Sequence, residues 1–440
     1  MIKSNKKFAD CRLKTVDFFC ILLTALCLLA FTTEINPTIR YVSPTGNNIP
    51  PYLSWEAAAN SIQDAIDVSE FGDTIYVANG VYEEQVIMIP GLSLIGAGTD
   101  SCIIDTRTFL STSLDISVTV ADSCLLKGFK IIAGSNNSIG TAIAGSGNRN
   151  CLITNNNVTS AFYGIFLDAT FFELADMTVY GNKCYDVRVG VELFNSNAIV
   201  RNNFIITANI SEVRGINIGA FDNNYFPIID SNYIIQTRGN GIYKSFGATP
   251  TITNNKIIMR GEGGTGSRSI RLSSSDSGYV INNLMYAEAN YNGGGIDNLG
   301  ILNLKLYNNY LTGNFRSTQI YAIRTGPADV KNNVVTNVLR GIEASWGTED
   351  LVVKYNNLWN NDTNYSGFTP DSTNLSVDPM VINDDTTQGE LDFRLQMFSP
   401  LIDAGDPDIL DKDGSRSDIG LYGGPYGWTY TYMDLAPRPP

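Results

Sequence analysis

Eight short segments of this chain share a small residue, an isoleucine or valine, and then a residue that varies widely in chemistry. If each segment is a β-strand, the aliphatic side chain points to one face and the variable side chain to the other. The variable positions, which we call the outer row, are Phe166, Glu192, Asn217, Tyr243, Arg271, Asp297, Arg324 and Glu343. Carboxyl, guanidinium and aromatic groups can bind or process a ligand, so the outer row is the first candidate site.

The middle of the outer row has the residue types for β-elimination from a uronate. That reaction needs a base for the proton next to the carboxyl group, and positive charge to neutralise the carboxylate. Two strand spacings would place the arginines on either side of the aspartate roughly 10 Å apart. Arginine is a poor base, because it stays protonated near neutral pH. The candidate catalytic residues are Arg271, Asp297 and Arg324, and the candidate substrate-binding residues are Glu192, Asn217, Tyr243 and Glu343.

Two other interpretations of the outer row stay open. An inverting glycosidase needs two carboxyl groups roughly 6.5–9.5 Å apart, and Asp297 and Glu343 would be near 10 Å apart, a marginal fit. Alternating charges on neighbouring strands would stabilise a sheet by a few tenths of a kcal/mol per pair without any ligand. The chain contains no histidine, which removes His-based triads, His-ligated zinc and His acid–base catalysis.

A second repeat predicts the elements that position the outer row. Segments such as TITNN (251–255) recur at intervals of 21 to 29 residues, and their final polar residues are Asn156, Asn182, Asn203, Asn232, Asn255, Asn283, Asn309, Asn333 and Asn356. Repeats of this length indicate a solenoid, and short β-type runs without helical periodicity indicate a parallel β-helix. We expect each asparagine to point inward, to stack on its counterpart about 4.8 Å away, and to accommodate a left-handed turn.

The first 33 residues predict export. Four lysines and one arginine precede the uncharged apolar run FFCILLTALCLLAF at 18–31. This run is short for a membrane span and suits the core of a signal peptide, with an uncleaved N-terminal anchor as the alternative. In either case we expect the body of the protein to be secreted or held at the cell surface.

Two further segments resemble a known family. Residues 41–105 contain YVSPTGNNIPPYLSWEAAANSIQDAIDVSEFGDTIYVANGVYEE and LSLIGAG, and residues 399–425 read SPLIDAGDPDILDKDGSRSDIGLYGGP. They resemble the opening and closing segments of exported bacterial right-handed parallel β-helix proteins of the pectin-lyase-like superfamily. The resemblance implies a substrate groove along an outer sheet face and, for the lyases of the superfamily, an Arg or Lys base often assisted by calcium. The polygalacturonase branch, with its Gly-His-Gly motif, is excluded because the chain has no histidine.

A helix is predicted to cap the N-terminal end of the solenoid, near residues 55–68. Its apolar face would be Trp55, Ala58, Ala59, Ile62, Ala65 and Ile66, with Ser54 as the N-cap. Such a helix would cover the unpaired edge of the first strands. The predicted fold class is therefore all-β: a right-handed parallel β-helix of roughly ten coils with an N-terminal capping α-helix over 37–375, followed by a C-terminal cap and tail over 376–440.

Charge, cysteine and carboxylate patterns restrict partners and cofactors. The net charge of −14 argues against nucleic acid, and would also repel an anionic polysaccharide unless a local basic stripe or a cation intervenes. Cys102 and Cys124, in the similar contexts CIID and CLLK, are expected to stack as interior thiols, with a disulfide as the alternative. We assign no metal ligands and leave Ca²⁺ open, because the loop with Asp411, Asp413 and Asp418 fits a turn better than an EF-hand.

These observations predict one function and two alternatives. We expect an exported monomer that binds extracellular polysaccharide along the outer face of the β-helix. The first alternative is a polysaccharide lyase that acts on uronate-containing glycans through Arg271, Asp297 and Arg324. The second alternative is a non-catalytic structural or adhesive surface protein. Whether the protein is an enzyme stays open, with a lyase favoured over a glycoside hydrolase.

Overall fold

The computed structural model describes residues 37–134, 137–170, 176–236, 238–261, 264, 266–288, 291–313, 315, 321–384 and 390–431. The predicted signal peptide or anchor at 1–33 lies outside the described residues. Within them, no helix has the length and apolar composition that a membrane crossing requires.

The chain winds into a solenoid whose strands form three parallel columns. The first column is a 13-stranded sheet, and the second and third columns together form a 22-stranded sheet, because two long strands run through both. Nine strands of the first column precede the ladder asparagines, and four more precede the repeats. The all-β parallel β-helix predicted from the sequence, with about ten turns, is confirmed.

The strands of the first column are Ile39–Val42, Thr74–Val77, Ser93–Gly96, Leu125–Lys127, Cys151–Thr154, Met177–Tyr180, Ile199–Arg201, Ile228–Asp230, Thr251–Thr253, Ser275–Ile281, Ile301–Tyr307, Ala328–Lys331 and Leu351–Lys354. The strands of the second column are Gly80–Tyr82, Cys102–Asp105, Lys130–Ile132, the first halves of Asn157–Asp168 and Lys183–Phe194, Phe204–Thr207, Tyr233–Gln236, Lys256–Met259, Leu284–Ala287, Tyr310–Gly313, Val334–Thr336 and Asn357–Trp359. The strands of the third column are Val86–Ile87, Ile116–Thr119, Thr141–Ser146, the second halves of the two long strands, Arg214–Gly219, Asn240–Lys244, Arg268–Leu272, Gly294–Asn298, Ile323–Thr325, Arg340–Ala344 and Thr363–Ser366. Outside the columns, the described residues also form a helix at Ile62–Asp67, a 3-10 turn at Thr348–Asp350 and an antiparallel pair, Val381–Asn383 with Asp392–Leu395.

The asparagine ladder forms as predicted at the turn between the first and second columns. Asn255 Oδ1 accepts hydrogen bonds from the backbone N (2.9 Å) and Nδ2 (3.0 Å) of Asn232, and Asn255 Nδ2 donates to Asn283 Oδ1 at 3.0 Å. The left-handed backbone, however, belongs to the preceding residue, such as Asn202 or Asn254, with φ of 55° and 56°. The left-handed residue makes the bend, and the bend turns the next side chain inward.

The interior of the solenoid is mainly aliphatic, and within the described residues it also contains a buried lysine. The residues that precede the outer row in the third column are fully buried: Ile165, Val191, Ile216, Ile242, Ile270, Ile296, Ile323 and Ile342. Lys244 is also fully buried, and its Nζ donates to the backbone carbonyls of Ser273 (2.7 Å) and Ser274 (2.5 Å). Burial lowers the pKa of Lys244 to about 7.

The N-terminal capping helix is shorter than predicted. It spans Ile62–Asp67, and its N-cap is Ser61 rather than Ser54. The preceding residues cannot extend the helix, because their carbonyl groups accept hydrogen bonds from the 43–49 loop, as in Asn48 N to Ala58 O at 3.0 Å. Most of the predicted apolar face is buried, but Trp55 is 51 % exposed and packs on Tyr41, with ring centroids 4.6 Å apart.

The expected stacking of Cys102 on Cys124 was wrong. Cys102 lies in the second column, opposite Gly80, whereas Cys124 directly precedes the first-column strand Leu125–Lys127. The similar four-residue contexts therefore belong to different sides of the coil. All four described cysteines are free and buried.

The C-terminal segment packs along the second column. Three asparagines that directly precede ladder residues hold this segment: Asn282 Nδ2 donates to Leu421 O at 2.8 Å, Asn308 Nδ2 donates to Asp418 O at 3.0 Å, and Asn332 Oδ1 accepts from Asp406 N at 2.7 Å. An apolar cluster lies beneath this segment and consists of Leu284, Tyr310, Val334, Val381, Phe393, Leu395, Leu401, Ile419 and Leu421.

The carboxylates considered for calcium serve the backbone of this segment. Asp411 accepts from Gly424 N at 2.5 Å, and Asp413 accepts from Ser415 N at 3.0 Å. Asp418 accepts from Asp403 N at 2.9 Å. The described residues contain no group of three or more acidic or cysteine side chains that could hold a metal ion.

Candidate functional site

The outer row exists as one file of paired residues in the third column. Each of the eight residues is the direct partner of the next on the neighbouring strand, from Phe166 opposite Glu192 to Arg324 opposite Glu343. Successive residues are therefore about 4.8 Å apart along the backbone. The register was predicted from the repeat alone, whereas the roles of these residues remain a prediction.

A second row, which sequence reasoning missed, runs beside the outer row. It consists of the residues directly before the small residue of each segment, and includes Arg214, Asn240 and Arg268 on adjacent strands. Arg340 occupies the same place near the C-terminal end of the column. The signal was present in the sequence, because an arginine stands before the small residue in RGI (214–216), RSI (268–270) and RGI (340–342).

Asp297 lies at the centre of a cluster that differs from the expected one. Arg324 Nε donates to Asp297 Oδ1 and Arg324 Nη2 to Asp297 Oδ2, both at 2.8 Å, and Arg268 Nε donates to Oδ2 at 3.1 Å. The first arginine of the cluster is thus Arg268, not Arg271. Asp297 is only 1 % exposed, with both oxygens bonded, so it holds two arginines in place and presents no carboxylate at the surface.

The charges in this cluster do not favour an arginine base. The hydrogen bonds to Asp297 raise the pKa of Arg324, so Arg324 holds its proton more tightly. Burial lowers the pKa of Arg268, but its Nε is bonded to Asp297 and its Nη1 to Ser267 O at 2.8 Å. Neither guanidinium is arranged to accept a proton from a substrate.

Arg271 instead lines a cleft of about 550 Å³ on the same face. We call it the arginine cleft, and its described lining is Ser211, Glu212, Val213, Arg214, Arg238, Gly239, Asn240, Tyr243, Gly264, Gly266, Ser267 and Arg271. The third column forms its floor, and the turns that lead into three successive third-column strands form one wall. Within the outer row, Tyr243 and Arg271 are the two predicted site residues that the cleft brings together.

Tyr243 lies between two guanidinium groups in the arginine cleft. The Arg214 guanidinium carbon is 4.9 Å from the centre of the Tyr243 ring, and that of Arg271 is 5.9 Å from it. Within the described residues, Arg271 Nε has no hydrogen-bond partner. The cleft therefore combines an aromatic surface with directed positive charge, which suits a ligand that carries both a ring and an anionic group.

Glu212, the acidic residue in the described lining of the cleft, is engaged away from the arginines. Glu212 Oε2 is 3.6 Å from Arg188 Nη2, and the Glu212 side chain is 81 % exposed. Arg188 in turn lies over the Phe162 ring at 5.1 Å. Among the described lining residues, Arg214, Arg238 and Arg271 supply the positive charge of the cleft.

Buried polar side chains fix the wall of the arginine cleft. Ser267 Oγ accepts hydrogen bonds from the backbone N atoms of Gly239 and Gly264, both at 3.0 Å. Gln236, which is fully buried, donates to Val213 O at 3.1 Å and accepts from Thr207 Oγ1 at 2.9 Å. These bonds join the turns of neighbouring coils, so the wall is preorganised.

The other predicted substrate-binding residues flank the cleft. Asn217 Nδ2 donates to Glu192 Oε1 at 2.5 Å, and burial raises the pKa of Glu192 to about 7. Burial also raises the pKa of Glu343, which lies beside Arg324. Six strand spacings separate Glu192 from Glu343, roughly 29 Å, so the two carboxyl groups cannot act on one bond.

Fold and face together define a parallel β-helix protein with a basic cleft on the outer side of one strand column. A family model described as "Right handed beta helix region" matches residues 116–285, which contain the cleft. This match confirms the right-handed β-helix expected from the resemblance to the pectin-lyase-like superfamily. A comparison with curated protein sequences finds no match.

A comparison with solved structures gives several matches. The catalytic unit of the GH87 alpha-1,3-glucanase from Streptomyces thermodiastaticus strain HF3-3 is 16% identical, with a TM-score of 0.46, over 79% of this chain and 69% of that one. The GH136 lacto-N-biosidase from Eubacterium ramulus is 12% identical, with a TM-score of 0.44, over 77% and 67%. The alginate lyase from Paenibacillus sp. str. FPU-7 is 17% identical, with a TM-score of 0.35, over 69% and 96%.

Proposed function

We propose that this protein is exported and binds an acidic extracellular polysaccharide in the arginine cleft. The observation that supports this proposal is the Arg214–Tyr243–Arg271 arrangement, a focus of positive charge on a protein whose net charge is −14. Placing several arginine side chains together in one cleft costs free energy, because neighbouring carboxylates do not neutralise their positive charge. An anionic ligand supplies that neutralisation.

The shape of the site favours a linear chain. The outer row and the second row run side by side along the solenoid axis, and the cleft opens between them at the level of Arg214 to Arg271. A polysaccharide laid along this axis would place a sugar ring against Tyr243 and its carboxylate or sulfate near Arg271. Arg238 would contact the same ligand from the wall.

Charge also explains how such a ligand could approach. The acidic bulk of the protein repels anions at long range, but this repulsion is screened beyond about 8 Å at physiological ionic strength. Within that distance the three arginines dominate the field of the cleft. Binding should therefore weaken steeply as salt rises, because each contact is a charge-assisted hydrogen bond at a solvent-accessible site.

The geometry supports binding of the polysaccharide without cleavage. Asp297 is sealed by Arg268 and Arg324, and the raised pKa of Arg324 works against proton abstraction. A lyase reaction would release unsaturated uronates, so the same experiment can detect it.

The test is isothermal titration of the full chain with pectate, alginate and glycosaminoglycans, with and without calcium, at low and high salt. Each mixture is also assayed for unsaturated uronates. Arg271→Ala should weaken binding of the preferred glycan by at least about tenfold, the loss of one charge-assisted contact. The matched control is Arg149→Ala, which removes an equal charge from an exposed turn outside the cleft.

The outcomes separate the three functions. Binding that is lost in Arg271→Ala and kept in Arg149→Ala supports the proposal. Release of unsaturated uronates would replace it with the lyase. Absence of binding across the panel would contradict it and leave a structural or adhesive protein. An equal loss in both variants would contradict the arginine cleft as the binding site.

A further inference from the structure

Two buried cysteines meet inside the solenoid on adjacent coils. Cys124 Sγ and Cys151 Sγ are 3.0 Å apart, and the two residues are 2 % and 1 % exposed. They stand directly before Leu125 and Leu152, which are partners on neighbouring first-column strands. The other described cysteines, Cys102 and Cys184, contact backbone carbonyl oxygens instead.

The backbone geometry at this pair suits a covalent bridge. Adjacent parallel strands are about 4.8 Å apart, which lies inside the 4.4–6.8 Å range of Cα separations that disulfides tolerate, roughly. Leu152 N donates to Cys124 O at 2.9 Å, so the two strands are already fixed in register beside the thiols. Closing the contact to the bond length of about 2.05 Å needs a movement of only roughly 1 Å.

We propose that Cys124 and Cys151 form an intramolecular disulfide that clips two coils of the β-helix together. Because both thiols are buried in the folded chain, the bridge forms during folding, before the coils close over it. The proposal is independent of glycan binding and requires only that the chain folds in the presence of a disulfide oxidant.

The reaction is thiol–disulfide exchange with a small disulfide such as oxidised glutathione. The Cys124 thiolate attacks one sulfur of the oxidant and expels one glutathione thiolate, which leaves a mixed disulfide. The Cys151 thiolate then attacks the Cys124 sulfur, forms the Sγ–Sγ bond and expels the second thiolate. Two protein thiols are oxidised, their two protons pass to the two glutathione thiolates, and the oxidant is reduced to two thiols.

Peptide mapping tests the linkage directly. The full chain is unfolded, refolded in a glutathione redox buffer, alkylated and digested with trypsin without reduction. The sequence between basic residues places Cys102, Cys124, Cys151 and Cys184 in four different peptides, 41–107, 108–127, 150–183 and 184–188. We expect peptides 108–127 and 150–183 to be joined, two hydrogens lighter than their sum, with Cys102 and Cys184 alkylated.

A stability measurement gives an independent readout. The wild-type chain refolded with oxidant should melt several degrees above the same chain refolded with a reductant, and Cys124→Ala should abolish this difference. Cys184→Ala is the matched control, since it also removes a buried thiol but should keep the difference. Recovery of Cys124 and Cys151 as alkylated thiols from a chain with normal circular dichroism would overturn the proposal, as would a different linkage.

Discussion

The asparagine ladder and the outer row are both columns of stacked side chains, but they differ in what decides their contacts. In the ladder, each amide bonds the identical group one coil away, as Asn232 does with Asn255. In the outer row, Arg271 stands directly opposite Asp297, yet Asp297 bonds Arg268 and Arg324. Register fixes the partner of a short interior side chain. A long outer side chain can reach several neighbours, so the register alone does not determine its hydrogen-bond partner.

This difference separates stability from function. The ladder is fully buried and satisfied, so its bonds maintain the coil and leave nothing to offer a ligand. On the outer face, Arg271 Nε is buried and has no hydrogen-bond partner within the described residues, so this guanidinium is not tied to the scaffold at that atom. A preorganised binding face requires a rigid sheet and outer side chains that the scaffold does not fully pair.

Replacing a ladder asparagine should have the largest effect on stability. Asn203 Oδ1 accepts from Asn182 N at 2.9 Å, and Asn203 Nδ2 donates to Val179 O at 2.9 Å and to Asn232 Oδ1 at 3.0 Å. Asn203→Ala would leave these buried groups unsatisfied and lower the free energy of unfolding by about 4 kcal/mol. Urea denaturation followed by circular dichroism measures the loss.

The matched control is the neighbouring residue of the same Asn-Asn pair. Asn202 is exposed with φ of 55°, a backbone conformation that glycine adopts without strain, so Asn202→Gly should change stability by less than about 1 kcal/mol. Equal losses of unfolding free energy in Asn203→Ala and Asn202→Gly would contradict the prediction, because they would show that the ladder bonds of Asn203 add no stability of their own.

The second comparison lies within the outer face, between Arg268 and Arg271. The Arg268 side chain is 8 % exposed and pairs with Asp297, so Arg268→Ala leaves a buried carboxylate with one partner fewer and should cost about 3 kcal/mol. Arg271→Ala breaks no hydrogen bond at Nε and should cost less than about 1 kcal/mol while weakening glycan binding. Similar urea midpoints for the two variants would refute the assignment of Arg268 as the structural arginine.

The sequence predicted the features that depend on period. The parallel β-helix, the inward asparagines and the register of the outer row all follow from residues that recur once per coil, whereas the right-handed sense was expected from the family resemblance. Ile216, Ile242 and Ile270, for example, had to stack in the core, because a strand places every second residue on the same face.

The sequence did not predict features that depend on choice among neighbours. The Arg268–Asp297 pair needs a diagonal contact between rows that periodicity does not specify. The N-cap is Ser61 rather than the predicted Ser54, because the loop 43–49 donates hydrogen bonds to the carbonyl groups that a longer helix would use. Cys102 and Cys124 have similar neighbours in sequence but belong to different columns, since coil lengths vary.

A third prediction concerns the buried carboxyl group of the outer row. The pKa of Glu192 is about 7 in the fold against 4.5 when unperturbed, because burial disfavours its charge. The folded protein therefore binds this proton more tightly than the unfolded chain does. The free energy of unfolding falls as pH rises from 4.5 to 7, and the loss reaches its full size above pH 7. Glu192→Gln should be about 2 kcal/mol more stable than the wild type above pH 7, and equal to it below pH 4.5.

Urea midpoints at both ends of this range measure the difference for Glu192. The variant amide oxygen can still accept from Asn217, so the neighbouring contact is kept. Glu212→Gln is the control, because that side chain is 81 % exposed and should show no such pH dependence. A pH-independent difference for Glu192→Gln would mean that the pKa of Glu192 is the same in the folded and unfolded chain, which would contradict the prediction.

The smallest expected effect tests how the arginine cleft holds its charges. The guanidinium carbons of Arg214 and Arg271 lie 4.9 Å and 5.9 Å from the centre of the Tyr243 ring, whose π electrons attract both cations and so offset their mutual repulsion. Tyr243→Phe keeps the ring and should leave glycan affinity within about twofold, whereas Tyr243→Leu should weaken it three- to fivefold, roughly 0.5–1 kcal/mol. Titration calorimetry with the glycan that the wild type prefers resolves this difference. An equal loss of glycan affinity in both variants would mean that the hydroxyl group of Tyr243, and not its ring, supports binding. Unchanged affinity in both would mean that backbone bonds from the cleft wall, such as those to Ser267, are enough to aim the arginines.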